Sequence, residues 1–138
     1  MTEVAYHIWL NDLPVPPSPN TWKTHRMELV KQKNGYKRSA WVLCCSRNAP
    51  QSHPPDNVTV WVKFRLKRLR DEDNLYASCK WLLDVLKLPR KGDVISWKQG
   101  IAEAKGYFVD DSPDRMKLHV SQEKDRKDAV DVKISWQD

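Results

Sequence analysis

The sequence predicts an α+β fold: a small single domain whose helices pack on a mixed or antiparallel sheet, in the order β-α-β-α-β-β. Three observations predict it. Residues 58–67 alternate strictly between apolar and polar side chains, residues 74–87 repeat apolar side chains at helical spacing, and residues 115–121 and 129–136 alternate again. The 138 residues, 40% of them hydrophobic, suit one domain, 1–138, with a packed core.

Residues 3–11 open the chain as a strand. Val4, Tyr6, Ile8 and Leu10 face one way, and Ala5, His7, Trp9 and Asn11 face the other. Pro14, Pro16, Pro17 and Pro19 follow, and proline fits neither a helix interior nor a central strand. Residues 14–20 are therefore a stiff extended loop. Residues 21–47 have helical character, with Asn34-Gly35 expected to interrupt them. The expected helix proper lies near 37–47, with Ala40, Leu43 and Cys44 inward. A proline-rich polar loop covers 48–57.

In the strand over 58–67, Val58, Val60, Val62, Phe64 and Leu66 form the apolar face. Thr59, Trp61, Lys63, Arg65 and Lys67 form the opposite, cationic face. Leu75, Cys79, Leu82, Leu83 and Leu86 then fall on one stripe of a helix over 74–87, which Pro89 and Gly92 end. Residues 88–105 are ambiguous between a short strand at 94–97 and a helical turn at 101–105. Gly106 resets the chain before the two closing strands, which a turn at 124–128 connects.

The net charge is +6, and its distribution is uneven. Residues 21–47 carry Lys23, Arg26, Lys31, Lys33, Lys37, Arg38 and Arg47 against a single acid, Glu28. Residues 60–70 add Lys63, Arg65, Lys67, Arg68 and Arg70 with no acid. Such stretches suit phosphate binding, although solvated charged faces produce the same pattern. Lys23, Arg26, Lys37, Arg38, Lys63, Arg65, Lys67 and Arg70 are the candidate phosphate contacts, and hence the candidate DNA-binding residues if the polyanion is DNA. The N-terminus lacks the basic start and apolar stretch of a signal peptide, and no apolar run would span a bilayer, so a cytoplasmic protein without a membrane role is expected. Cys44, Cys45 and Cys79 form no Cys-x-x-Cys pair and are expected to be reduced, not zinc ligands.

The acids gather at two places. Asp71, Glu72 and Asp73 stand between the cationic strand and the amphipathic helix, and Asp110-Asp111 follow Gly106-Tyr107-Phe108-Val109. Clustered carboxylates repel one another, and a divalent cation with oxygen ligands relieves the repulsion. Bound Mg²⁺ keeps positions open for water and phosphate, the arrangement of metal-assisted phosphodiester hydrolysis. Plainer roles compete. Asp73 would serve as the N-cap of a helix starting at Asn74, and Asp110-Asp111-Ser112-Pro113 as a turn. The residues after Asp71-x-Asp73 exclude an EF-hand, and no P-loop, Gly-x-Ser-x-Gly or His-Glu-x-x-His is present.

Three segments together resemble the RusA-type Holliday junction resolvases. Pro16-Pro17-Ser18-Pro19-Asn20 is similar to their Pro-Pro-Ser-x-Asn. Arg70-Asp71-Glu72-Asp73-Asn74-Leu75 resembles their Arg-Asp-x-Asp-Asn-Leu, and Gly106-Tyr107-Phe108-Val109-Asp110-Asp111 their Gly-aromatic-x-x-Asp-Asp. The order matches and spans nearly the whole chain. The resemblance implies a homodimer that cuts four-way DNA junctions by paired incisions with Mg²⁺, or Mn²⁺, and no small-molecule cofactor. It implies Asp71, Asp73 and Asp111 as essential metal-binding acids, Asp110 as an accessory ligand, and Asn74 and Asn20 as orienting positions.

Two departures stand out. Three residues after Asn74 the family usually has a lysine, and here that position is Ala77. Lys80 lies about 4.5 Å further along the helix and would stand in for it as a catalytic cation, or pair with Asp84 on the surface. The second departure is length, because residues 87–105 read as an insertion. Trp61, on the cationic face, would stack on an unpaired base or pack at a sheet face or dimer interface. Besides junction resolution, two readings remain open: a nuclease for other branched or single-stranded DNA, and a DNA-binding module with impaired catalysis, which the loss at Ala77 motivates.

Overall fold

The computed structural model describes residues 5–88 and 105–137. Six elements follow the expected order: β1 (Ala5–Leu13), α1 (Arg26–Arg47), β2 (Val58–Leu66), α2 (Glu72–Leu86), β3 (Met116–Lys124) and β4 (Ala129–Gln137). The fold is a small α+β domain with a four-stranded mixed sheet of order β1-β4-β2-β3. β4 is antiparallel to both β1 and β2, and β3 runs parallel to β2. The consecutive strands β3 and β4 therefore do not pair with each other. Their link passes the end of β2, where the Asp125 amide donates to the Leu66 carbonyl at 2.9 Å.

Alternation on β2 builds the core. Val58, Val60, Val62, Phe64 and Leu66 are all buried, joined by Ile8 and Leu10 of β1 and by Val130, Val132 and Ile134 of β4. Both helices cover this face, through Ala40 and Cys44 of α1 and Leu75, Cys79, Leu82 and Leu86 of α2. Among the described residues no element covers the opposite face. β1 runs two residues beyond its expected end because it accommodates a bulge. Leu10 faces Val132 but Leu13 faces Val130, so one extra residue is absorbed, and Asp12 takes a positive φ of 56°.

The expected break at Asn34-Gly35 does not occur. α1 is one helix of 22 residues that runs straight through Gly35. A glycine in a helix interior costs only about 1 kcal/mol relative to alanine. Packing on both sides outweighs it: Lys37, Ala40 and Cys44 are buried, and the Tyr36 hydroxyl donates to the Pro14 carbonyl at 2.9 Å. α2 begins two residues earlier than expected, so Asp71 occupies the N-cap and Asp73 the first turn. Most of the proposed insertion at 87–105, with the alternatives at 94–97 and 101–105, lies outside the described residues. Lys87 and Leu88 continue directly from α2, and Lys87 bridges to Phe108. No helix among the described residues is long and apolar enough to cross a membrane.

Candidate functional site

The strand β2 delivers the chain from Leu66 through Lys67, Arg68, Leu69 and Arg70 to the N-terminus of α2. An open cleft of about 470 Å³ lies there. Asn20, Lys67, Arg68, Arg70, Asp71 and Asn74 are among its lining residues. The structure thus brings together the first two sequence motifs, 51 positions apart from Asn20 to Asp71. Arg70 makes the join. Its Nη1 donates to the Pro16 carbonyl at 2.8 Å and to Ser78 Oγ at 3.1 Å, and it sits over the Phe64 ring at 5.8 Å. Burial pushes its pKa down. Arg70 is a clamp between the proline loop and α2, not an open cation for a phosphate. Stacking of Trp22 on Trp81, with ring centroids 5.0 Å apart, fixes the far end of the same loop.

Asp71 and Asp73 are both exposed, and neither carboxylate has a hydrogen bond or ion pair among the described residues. Asp71 is the N-cap by backbone position, yet its side chain makes no capping bond. Asp73 is likewise not the cap that its spacing allowed. Asp71 at the N-cap and Asp73 in the first turn lie at the start of α2, where the exposed amides and helix dipole favour negative charge. Carboxylate oxygens are hard donors, the type that a cation such as Mg²⁺ takes.

The second acidic motif lies elsewhere. Gly106 exchanges two hydrogen bonds with Gln51, each 2.9 Å, the Tyr107 amide donates to the Leu86 carbonyl, and the Leu88 amide donates to the Phe108 carbonyl. Tyr107 and Phe108 are fully buried, and the Tyr107 hydroxyl donates to the Asn48 carbonyl at 2.6 Å. A Cβ on Gly106 would meet the Leu88 backbone at 2.8 Å, so only glycine fits. These contacts pin Asp110 and Asp111 beside the C-terminal end of α2. Lys87 Nζ lies 3.8 Å from Asp111 Oδ1, and the Asp111 amide donates to Asp110 Oδ1 at 2.9 Å.

The two acidic motifs therefore occupy opposite ends of α2. Its 15 residues rise about 22 Å in all, far beyond the 2.0–2.6 Å reach of a metal–oxygen bond. Among the described residues no three His, Cys, Asp or Glu side chains gather into a metal-binding group. Within one chain, the described residues do not gather Asp71, Asp73 and Asp111 into one such group.

The remaining sequence candidates divide clearly. Lys23, Arg26, Arg38 and Lys67 are exposed. Lys63 pairs with Glu123 at 3.0 Å. Arg65, read from its strand as an open cation, is committed to three carboxylates. Its Nε meets Asp131 at 2.9 Å and its Nη1 meets Asp125 at 3.2 Å, while Nη2 bonds Asp12 at the bulge. Those hydrogen bonds hold its pKa far above the ordinary value. Lys37 faces inward, with Asp84 at 3.8 Å. Lys80 is exposed on α2, as is Ala77, and Lys80 does not pair with Asp84. Asp84 is instead buried among Lys33, Lys37 and Lys87, a cluster that the sequence pattern did not reveal. By spacing, Asp84 falls on the stripe of Asp73, Ala77 and Lys80, apart from Leu75, Cys79, Leu82 and Leu86, so the helical period gave no signal of its burial. All three cysteines are free, and burial pushes Cys44 and Cys79 up to about 12, so neither is a ready thiolate.

No family model matches the chain, and no curated protein matches it.

Proposed function

We propose that this chain is a metal-dependent endodeoxyribonuclease that hydrolyses phosphodiesters in four-way DNA junctions, acting as a homodimer. The observation that carries the reading is the exposed, unpartnered carboxylate of Asp71 in a cleft shared with Asn20, Asn74, Lys67 and Arg68, with Asp73, also unpartnered, in the adjoining first turn of α2. Carboxylates with no ion pair, next to exposed cations, suit a site that takes a metal ion and a phosphate together. The likeness of the three motifs to the RusA-type resolvases points to the same chemistry.

The separation of the acids shapes the proposal. With Asp111 at the far end of α2, a three-carboxylate set of Asp71, Asp73 and Asp111 needs two chains. In a two-fold dimer, the Asp71 end of each chain meets the Asp111 end of the other, and the contact occurs twice. Two equivalent sites result, which suits a junction with two equivalent strands to cut. Mg²⁺ is the proposed cation, with Mn²⁺ as a substitute. Within each chain, Lys67 and Arg68 would hold the phosphate backbone, Asn74 and Asn20 would orient the scissile group, and Lys80, two turns along α2 from Asp73, would supply a further positive charge.

The test is incubation of the protein with a labelled four-way junction, with and without Mg²⁺, alongside Asp73→Asn. The expected result is symmetric nicks that need both the metal and Asp73. Binding without cleavage across several metals would overturn the catalytic reading and favour a DNA-binding module, to which the exposed Ala77 lends weight. Preference for another branched or single-stranded substrate over the junction would replace the substrate and keep the chemistry.

A further inference from the structure

The uncovered face of the sheet carries a row of side chains in register across all four strands. Trp9 of β1 faces Lys133 of β4, Lys133 faces Trp61 of β2, and Trp61 faces His119 of β3. Four strands at about 4.8 Å spacing make this row about 14 Å long. Its members touch in sequence. Lys133 Nζ lies 5.1 Å from the Trp9 ring centre and 4.9 Å from that of Trp61. Trp61 stacks on His119 with centroids 5.6 Å apart and planes 17° from parallel. Trp9 is 55% exposed and Trp61 38%. Two large, ordered, exposed rings on a sheet are unusual for a surface with no partner.

Charge decides which partner fits. The carboxylates on this face are already engaged: Glu123 with Lys63, and Asp131, Asp125 and Asp12 with Arg65. Lys133 and Lys117 have no carboxylate partner among the described residues. A two-fold contact between copies through this face would bury Lys133 near its own counterpart, with no free acid among the described residues of the face on either side. Interface centres are depleted of lysine for that reason. A single nucleic-acid strand answers both features, because its bases stack on aromatic rings and its phosphates neutralise lysines.

We propose that the open sheet face binds single-stranded DNA, with bases stacked at Trp9 and Trp61 and phosphates held by Lys133 and Lys117. The choice of DNA rests on the nuclease reading above; the stacking itself does not. Trp61 precedes Leu66, which lines the acidic cleft, by five positions on β2, about 17 Å of strand. A few nucleotides would bridge the two.

The test is fluorescence anisotropy of a labelled oligothymidine, in EDTA so that no cleavage intervenes. Trp9→Ala and Trp61→Ala should each weaken binding about tenfold or more. Trp61→Phe, which keeps a ring, should retain most of the affinity. Lys133→Gln should weaken binding less and flatten its salt dependence. Val42→Ala, an exposed change on α1 away from this face, should bind like the wild type; the readout is binding alone, so failure of the nuclease reading leaves this outcome unchanged. Should Trp61→Ala fold poorly, Trp9→Ala on the more exposed edge strand decides alone. Affinity unchanged within about twofold in the tryptophan variants would overturn the proposal. Conversion of a dimer to a monomer by those substitutions, seen by light scattering, would also overturn it and make the face an interface between copies. Tighter binding of oligouridine would overturn the assignment to DNA.

Discussion

Lys87 Nζ lies 3.8 Å from Asp111 Oδ1 and 3.3 Å from Asp84 Oδ1, so one ammonium joins the second acidic motif to a buried carboxylate of α2. The contact fixes Asp111 at the end of α2 remote from Asp71 and Asp73. It also makes Asp84 the centre of a partly dehydrated ionic cluster with Lys33 and Lys37.

Removing the shared anion should therefore be costly. In Asp84→Ala, Lys37 loses the carboxylate that compensates its burial and Lys87 keeps only Asp111, and breaking such a cluster costs about 3 kcal/mol. Urea unfolding should show a lower midpoint with an unchanged slope. A loss below about 0.5 kcal/mol, the size expected of an ordinary surface change, would show that solvent compensates the lysines.

Gly106 should resist any side chain. A methyl there would meet the Leu88 backbone at 2.8 Å, and backbone atoms cannot swing aside. Gly106→Ala should destabilise the fold by about 1–3 kcal/mol. It should also lower any Asp111-dependent activity, because the Gly106–Phe108 segment aims Asp110 and Asp111. Thermal melting and junction cleavage measure the two effects separately.

Gly35 should behave in the opposite way. It lies inside α1, and nothing stands within 4 Å of its missing Cβ. Gly35→Ala should stabilise the protein by about 0.5–1 kcal/mol. A melting temperature unchanged or lowered would contradict the description of α1 as one regular helix at this point.

What was legible in the sequence follows from the range of the forces involved. The alternation of Val58 to Leu66 and the stripe of Leu75, Cys79, Leu82 and Leu86 are local patterns with one buried face, and each became the element they describe. The α+β class and element order rest on such patterns. Gly35 misled because helix propensity is a weak local term, which Ala40, Cys44 and Tyr36 override through contacts distant in sequence. Arg65 looked like a free cation because Asp12, Asp125 and Asp131, its partners, come from other strands and turns. Lys37 and Asp84 were hidden for the same reason, since they meet only when α1 crosses α2. The motifs named Asp71, Asp73 and Asp111, but their spacing carried no sign that α2 holds them apart.

That separation makes one measurement decisive. Asp73→Asn and Asp111→Asn should each abolish junction cleavage when assayed alone. Mixed under conditions that allow chains to exchange, the two inactive proteins should regain nicking. A mixed dimer would hold one site with intact Asp73 from one chain and intact Asp111 from the other, and one site with neither. Restored, Mg²⁺-dependent nicking is the predicted result. If both variants are inactive alone and the exchanged mixture stays inactive, two chains do not share an active site, which contradicts the proposed dimeric arrangement.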